Sequence, residues 1–201
     1  MSLPSFILAS GSSTRRTLLE NAGLDFSVDP ADIDERSAEK PLDDAGTTPD
    51  DIAAALAMVK ADQVSHRHPG RLVVGADQTL ELDGERLNKP ADMEAARRQL
   101  LAMRGRTHRL HAALVVARDG DFLWSHVETA ALTMRDLEPA EIGQYLAEVG
   151  DRALASVGAY QIEGPGIRLF RKIDGDFFAI LGFPMLPFLD FLRSQEDGEG
   201  A

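Results

Sequence analysis

The chain has 201 residues, 44% of them apolar and 27% charged, and a net charge of −12. That length suits one large domain or a tightly fused two-lobed unit, and the acidic balance argues against nucleic-acid and anionic-membrane partners while still allowing a local cation cluster to hold a small anion. There is no cysteine, so disulfides, thiolate catalysis and cysteine-based zinc sites are excluded; with no long apolar leader and no stretch of about 18 apolar residues, a cytoplasmic location without membrane insertion is expected.

In chain order, "SFILAS" predicts a buried strand, and "TRRTLLENAGL" a helix stopped by Gly23. "DFSVDP" predicts a second strand, and the acidic stretch over 31–51 reads mostly as loop. "DDIAAALAMVKADQVSHR" predicts a helix with alanines, leucine and methionine on one face. "LVVGA" reads as a buried strand ending near Asp77, and "TLELDGERL" as a hairpin about its Asp-Gly pair. A helix follows over "DMEAARRQLLAMRG", then a long hairpin about Asp119 and Gly120. "EPAEIGQYLAEVG" is another helix, with Pro139 early and Gly150 past its end. A further hairpin is predicted about Asp174 and Gly175, and "PMLPFLDFLRS" closes the chain as an amphipathic helix. This alternation with several hairpins predicts an α/β fold with a mixed sheet.

Four clusters carry chemistry. Ser10, Gly11, Ser12, Ser13, Thr14, Arg15 and Arg16 stand where a strand gives way to a helix. Small residues admit a ligand close to the backbone, free N–H groups at a helix start attract anions, and guanidinium grips phosphate bidentately. The same residues also suit a capped helix with exposed arginines; the P-loop spacing is absent. Asp32, Asp34 and Glu35 form an acidic loop, suited either to a divalent cation or to solvent. Asp77 follows a buried run and serves either as a base or metal ligand or as a turn cap, with Gln78 beside it able to read a base edge. Lys89 precedes Pro90, which biases it to extended backbone before a helix. Lys60 sits in a mostly apolar helix, projecting into a cleft or lying along the surface. The five histidines show no metal-binding spacing.

Taken in order, "LASGSSTRR", Asp34-Glu35, Lys60-Ala61, "GADQ", "DGERLNKP", "RGRTH", "VGAYQIEG" and "GFP" resemble the Maf family of nucleoside triphosphate pyrophosphatases over nearly the whole chain. The resemblance implies an elongated mixed sheet flanked by helices, with two lobes around a deep cleft, in a single Maf-like domain spanning 1–201. It implies hydrolysis of a nucleoside triphosphate to monophosphate and pyrophosphate, with a divalent cation, Mg²⁺ or Mn²⁺, as cofactor. Asp77 would then accept the proton of the attacking water, and Glu35 and Asp77 would hold the metal. Lys60 and Lys89 would join them in catalysis, while Ser10, Ser12, Thr14, Arg15, Arg16, Gln78 and Glu163 would bind substrate.

The chain departs from the pattern at three positions. Thr14 stands where the family branches carry Arg or Trp, Ser13 where Pro is usual, and Ser156 where Lys is usual. Gln78 and Glu163 match the branch resembling 7-methyl-GTP pyrophosphatases, and a carboxylate suits the donor edge of guanine. Without the Trp, stacking on a cationic methylated base is lost. A nucleotide-binding regulator of cell division, with little catalysis, is the alternative from another class, and a phosphohydrolase releasing orthophosphate is a third. An apolar face of the C-terminal helix could support a homodimer.

Overall fold

The computed structural model describes residues 3–34, 37, 38, 41, 42 and 45–198. Seven strands form one mixed sheet in the order β2-β1-β3-β5-β6-β7, with β4 added to β3. Strand β1 (Phe6–Leu8) lies parallel to both β2 (Phe26–Val28) and β3 (Leu72–Leu82). Strands β5 (Thr107–Arg118), β6 (Asp121–Met134) and β7 (Phe170–Asp174) continue the sheet in antiparallel fashion. The three-residue β4 (Glu85–Leu87) folds back on the end of β3. Both tight turns, Asp83-Gly84 and Asp119-Gly120, have positive φ at both residues. This is the twist that two-residue hairpins require, and why Asp-Gly marks them.

The helices are α1 (Ser13–Asn21), α2 (Pro49–Ser65), α3 (Met93–Met103), α4 (Pro139–Val149), the short α5 (Phe177–Ile180) and α6 (Met185–Gly198). Helix α2 covers one face of the sheet. Its Ala53, Ala57 and Ala61 pack on Ala113, Val115 and Ala117 of β5, and these methyl-sized contacts let the helix approach closely. At Gly75 the approach is closest, since a Cβ there would fall 1.9 Å from the carbonyl oxygen of Ala57.

The other face carries two separate cores. One joins Leu72, Val74, Ala76, Leu114 and Val116 to Leu19 of α1 and to Phe188, Phe191 and Leu192 of α6. The second joins Leu80, Leu110 and Leu132 to Leu100 of α3 and Ile142 of α4. Gln78 and its cross-strand partner Ala112 stand between the two sets. The division between lobes therefore crosses the middle of β3.

Three expectations need correction. Residues 72–82 form one continuous strand, so Asp77 lies in mid-strand rather than at a strand end. No hairpin forms about Asp174 and Gly175. Strand β7 pairs only with β6, and Asp176 instead caps α5, its carboxylate accepting from the Ala179 N–H. On α2, Met58 does not share the face of the alanines and Leu56: it stands off the buried stripe of Ala53, Leu56, Ala57, Lys60, Ala61 and Val64 and is exposed.

Candidate active site

The cleft arises from a gap in the sheet. On one edge of β3, β1 pairs with residues 72–74 and β4 pairs with residues 80–82. Residues 75–79 have β5 on their other edge and, among the described residues, no strand on this one. A cavity of about 560 Å³ opens there. Because the edge is bare, side chains from both faces of β3 reach it: Asp77 and Thr79 from the α2 face, Gln78 from the opposite face. Residues 10–15 form the wall from one lobe; Arg86, Asn88 and Lys89 with residues 155–163 form the wall from the other.

Asp77 is buried, and its Oδ1 accepts a hydrogen bond of 2.6 Å from Lys60 Nζ. Lys60 is equally buried on α2. The alternation of β3 and the helical spacing of α2 place the two side chains on facing surfaces, which explains why residues far apart in sequence meet.

The opening stretch both caps α1 and lines the cavity. Ser12 caps α1, its Oγ accepting from the Arg15 N–H at 3.4 Å. It also lines the cavity, with Ser10 and Thr14. The guanidinium of Arg15 turns inward. It donates from Nε to Gly182 O at 2.8 Å, and from Nη1 to Ser10 Oγ at 2.9 Å and Ala76 O at 3.0 Å. It thus ties α1, the bare stretch of β3 and the turn after α5 into one wall. Arg16 is not part of the cavity. Successive helix positions point about 100° apart, so with Arg15 inward Arg16 is exposed, beside Glu20 and Asp25.

Gln78 lines the cavity, but its amide N–H₂ is committed: it donates to Ala179 O and Ile180 O, both at 3.0 Å, holding the end of α5. Its oxygen remains for any reading of a base. Lys89 and Glu163 are exposed at the cavity wall. Glu35 lies outside the described residues. Arg86, Asn88, Tyr160 and Gln161 also line the cavity; they lie inside the stretches "DGERLNKP" and "VGAYQIEG", where sequence reasoning assigned none of them a role.

Among the described residues no group of three carboxylates or histidines could enclose a metal ion. Mg²⁺ commonly takes only one or two protein carboxylates and completes its shell with phosphates and water. Asp77, set in a cavity with several hydroxyls and cations, fits a metal brought in on that pattern.

The pattern of the family described as Maf-like protein matches residues 5–195.

The chain belongs to the Maf family.

Its relatives include a 7-methyl-GTP pyrophosphatase of Mesorhizobium japonicum, 60% identical and covering 94% of each chain. Another, from Brucella suis, is 57% identical over 96% of this chain and 98% of its own. A nucleoside triphosphate pyrophosphatase of Rhodopseudomonas palustris is 55% identical over 94% of this chain and 93% of its own. In this Maf-family chain no helix among the described residues is long and apolar enough to cross a membrane.

Proposed function

We propose that the chain is a nucleoside triphosphate pyrophosphatase that cleaves between the α- and β-phosphates of a purine nucleotide of the 7-methyl-GTP kind. The buried Lys60–Asp77 pair on the bare stretch of β3 carries this reading. It places a carboxylate and a cation together at the floor of a cavity walled by hydroxyls and further cations. The names of the relatives at 57–60% identity support the substrate class.

The phosphates would lie along residues 10–14, where the N-terminus of α1 and the Ser10 and Ser12 hydroxyls offer hydrogen bonds to anionic oxygen. Lys89 and Lys60 would offset the charge of a triphosphate, about four units at neutral pH. Asp77 would accept the proton of a water attacking the α-phosphorus. The bond from the α-phosphorus to the α–β bridging oxygen breaks, and its electron pair stays on that oxygen, which becomes a terminal oxygen of pyrophosphate. A divalent cation held by Asp77 and the phosphates, with Glu35 as a further candidate ligand, would withdraw charge from the leaving group. Glu163, at the opposite wall, would accept from the N1–H and N2–H₂ donors of guanine.

The test is incubation of the purified chain with Mg²⁺ or Mn²⁺ and a panel of canonical and methylated nucleoside triphosphates, measuring pyrophosphate and orthophosphate separately. Pyrophosphate from guanine nucleotides, abolished by a chelator and restored by the metal, is the expected result. Orthophosphate alone makes the chain a different phosphohydrolase. Nucleotide binding without either product favours a regulatory protein.

A further inference from the structure

Behind the Glu163 wall lies a polar contact that the proposed chemistry does not use. His108 of β5 and Tyr160 are both buried, 1% and 5% exposed. His108 Nε2 and the Tyr160 hydroxyl are 2.7 Å apart. Both rings pack on Phe170, with Tyr160 edge-on at 4.7 Å between centroids. The other ring nitrogen, His108 Nδ1, is buried without a hydrogen-bonding partner. A phenylalanine at 108 would avoid that unsatisfied atom but leave the buried Tyr160 hydroxyl without its partner, so what the histidine does here is hold that hydroxyl.

Tyr160 lines the cavity in the same stretch, 156–163, that ends at Glu163. The stretch is held in an uncommon shape. Ala159 is fully buried with φ of +57°, a left-handed conformation that a non-glycine residue keeps only when its surroundings enforce it. Those surroundings are visible. Ser156 Oγ donates to Tyr160 O at 2.6 Å, and the Tyr145 hydroxyl donates to Ala159 O at 3.3 Å. Gln99 Nε2 donates to Val157 O at 2.6 Å and to Asn88 O at 3.1 Å, joining this stretch to the one bearing Lys89. The His108–Tyr160 bond supplies the remaining tie, from the stretch directly to the sheet. Burial pushes the imidazole down to about 4 and the phenol up, so at neutral pH the tie joins two uncharged groups.

We propose that His108 is a positioning residue: by holding the Tyr160 hydroxyl it locks the 156–163 wall, and with it Glu163, in the shape that discriminates between nucleotide bases. This rests on the reading of the cavity as a nucleotide site. His108 itself touches no reacting atom. Its contribution is to remove from the wall the freedom that would let it accommodate the wrong base, which is how a pre-organised site gains selectivity.

The experiment measures affinity for the hydrolysis-resistant α,β-methylene analogues of GTP and UTP, with melting temperature, kcat and KM, in the wild type and in Tyr160→Phe, His108→Phe and His108→Gln. Loss of one neutral hydrogen bond corresponds to about fivefold. Tyr160→Phe and His108→Phe are expected to lose about that much of the GTP-over-UTP preference and to raise KM for guanine nucleotides, while kcat is retained. His108→Gln, which can again place a polar atom near the hydroxyl, is expected to recover most of the preference. Folded Phe variants with the wild-type preference overturn the proposal, as does a wild type without any preference. If His108→Phe does not fold, Tyr160→Phe decides, since it removes a single oxygen and keeps the ring. If the wild type releases no pyrophosphate, the reading of the reaction fails, while analogue affinities still decide the role of His108.

Discussion

Lys60 Nζ lies 2.6 Å from Asp77 Oδ1, joining helix α2 to strand β3 by an ion pair buried on both sides. Removing one partner of such a pair strands the other charge, at about 3–5 kcal/mol. Lys60→Met is therefore expected to lower stability by that order in denaturant titration. Asp77→Asn retains an oxygen to accept from the lysine and is expected to remain folded. Its turnover should fall by at least about 10²-fold, the usual contribution of a general base. The double variant Lys60→Met with Asp77→Asn should recover stability but not activity. Near-wild-type turnover in Asp77→Asn would remove the proposed base.

The two adjacent arginines should separate cleanly. Arg15 reaches three acceptors from three segments of the chain. A lysine cannot reproduce the fork of the guanidinium, so Arg15→Lys is expected to lower melting temperature and raise KM together. Arg16 is exposed outside the cavity, and Arg16→Ala should leave stability within about 0.5 kcal/mol and KM unchanged. Comparable KM effects from both substitutions would contradict the placement of α1.

Gly75 is a packing glycine. An added methyl would meet Ala57 O at 1.9 Å and Ala61 N at 2.7 Å, and neither backbone atom can yield without moving α2. Gly75→Ala is expected to cost at least the upper part of the usual overpacking range, about 3 kcal/mol, read as a shift in unfolding midpoint. Because α2 carries Lys60, activity should fall in the fraction that still folds.

His108 makes stability depend on acid. Its ring is held neutral down to about 4, against 6.5 for the free side chain. Below pH 6.5 the unfolded chain takes up a proton that the folded chain refuses until about pH 4. Folding stability should therefore decline as pH falls through that window, by about 3 kcal/mol in total at about 1.4 kcal/mol per unit, and become independent of this group below it. His108→Phe should flatten that limb of the stability profile, measured by chemical denaturation between pH 7 and 4.

Much of the architecture was legible because local signals and the tertiary structure agree. The Gly23 stop of α1, Pro139 and Gly150 at the ends of α4, the Asp-Gly turn between β5 and β6, and the alanines and leucine of the buried α2 face all appear as read. Two readings fail for local reasons. "DGD" at 174–176 has the turn residues of a hairpin, but Asp176 uses its carboxylate to cap a helix start. Nothing local distinguishes the two uses of an aspartate. At Asp77 the apolar run of "LVVGA" stops, which reads as a strand end, whereas continuous pairing with β5 carries the strand past it. In the site, most candidates follow from the family pattern, and the cavity gathers Ser10, Ser12, Thr14, Arg15, Lys60, Asp77, Gln78, Lys89 and Glu163. The different fates of Arg15 and Arg16 depend on the rotation of one helix. The His108–Tyr160 contact joins residues 52 apart in sequence, and no spacing announces it.

The bare stretch of β3 sets what can and cannot move. Asp77 is borne by a strand paired with β5 along its inner side, so the proposed base is as immobile as the sheet. Across the gap, the stretch bearing Lys89 reaches β3 through only three residue pairs of β4. Opening those pairs would widen the entrance without disturbing the floor. Under the proposed function, a nucleotide would enter and pyrophosphate leave by the breathing of this short ribbon, and amide exchange in β4 should slow when a nucleotide analogue binds while that in β3 stays as it was.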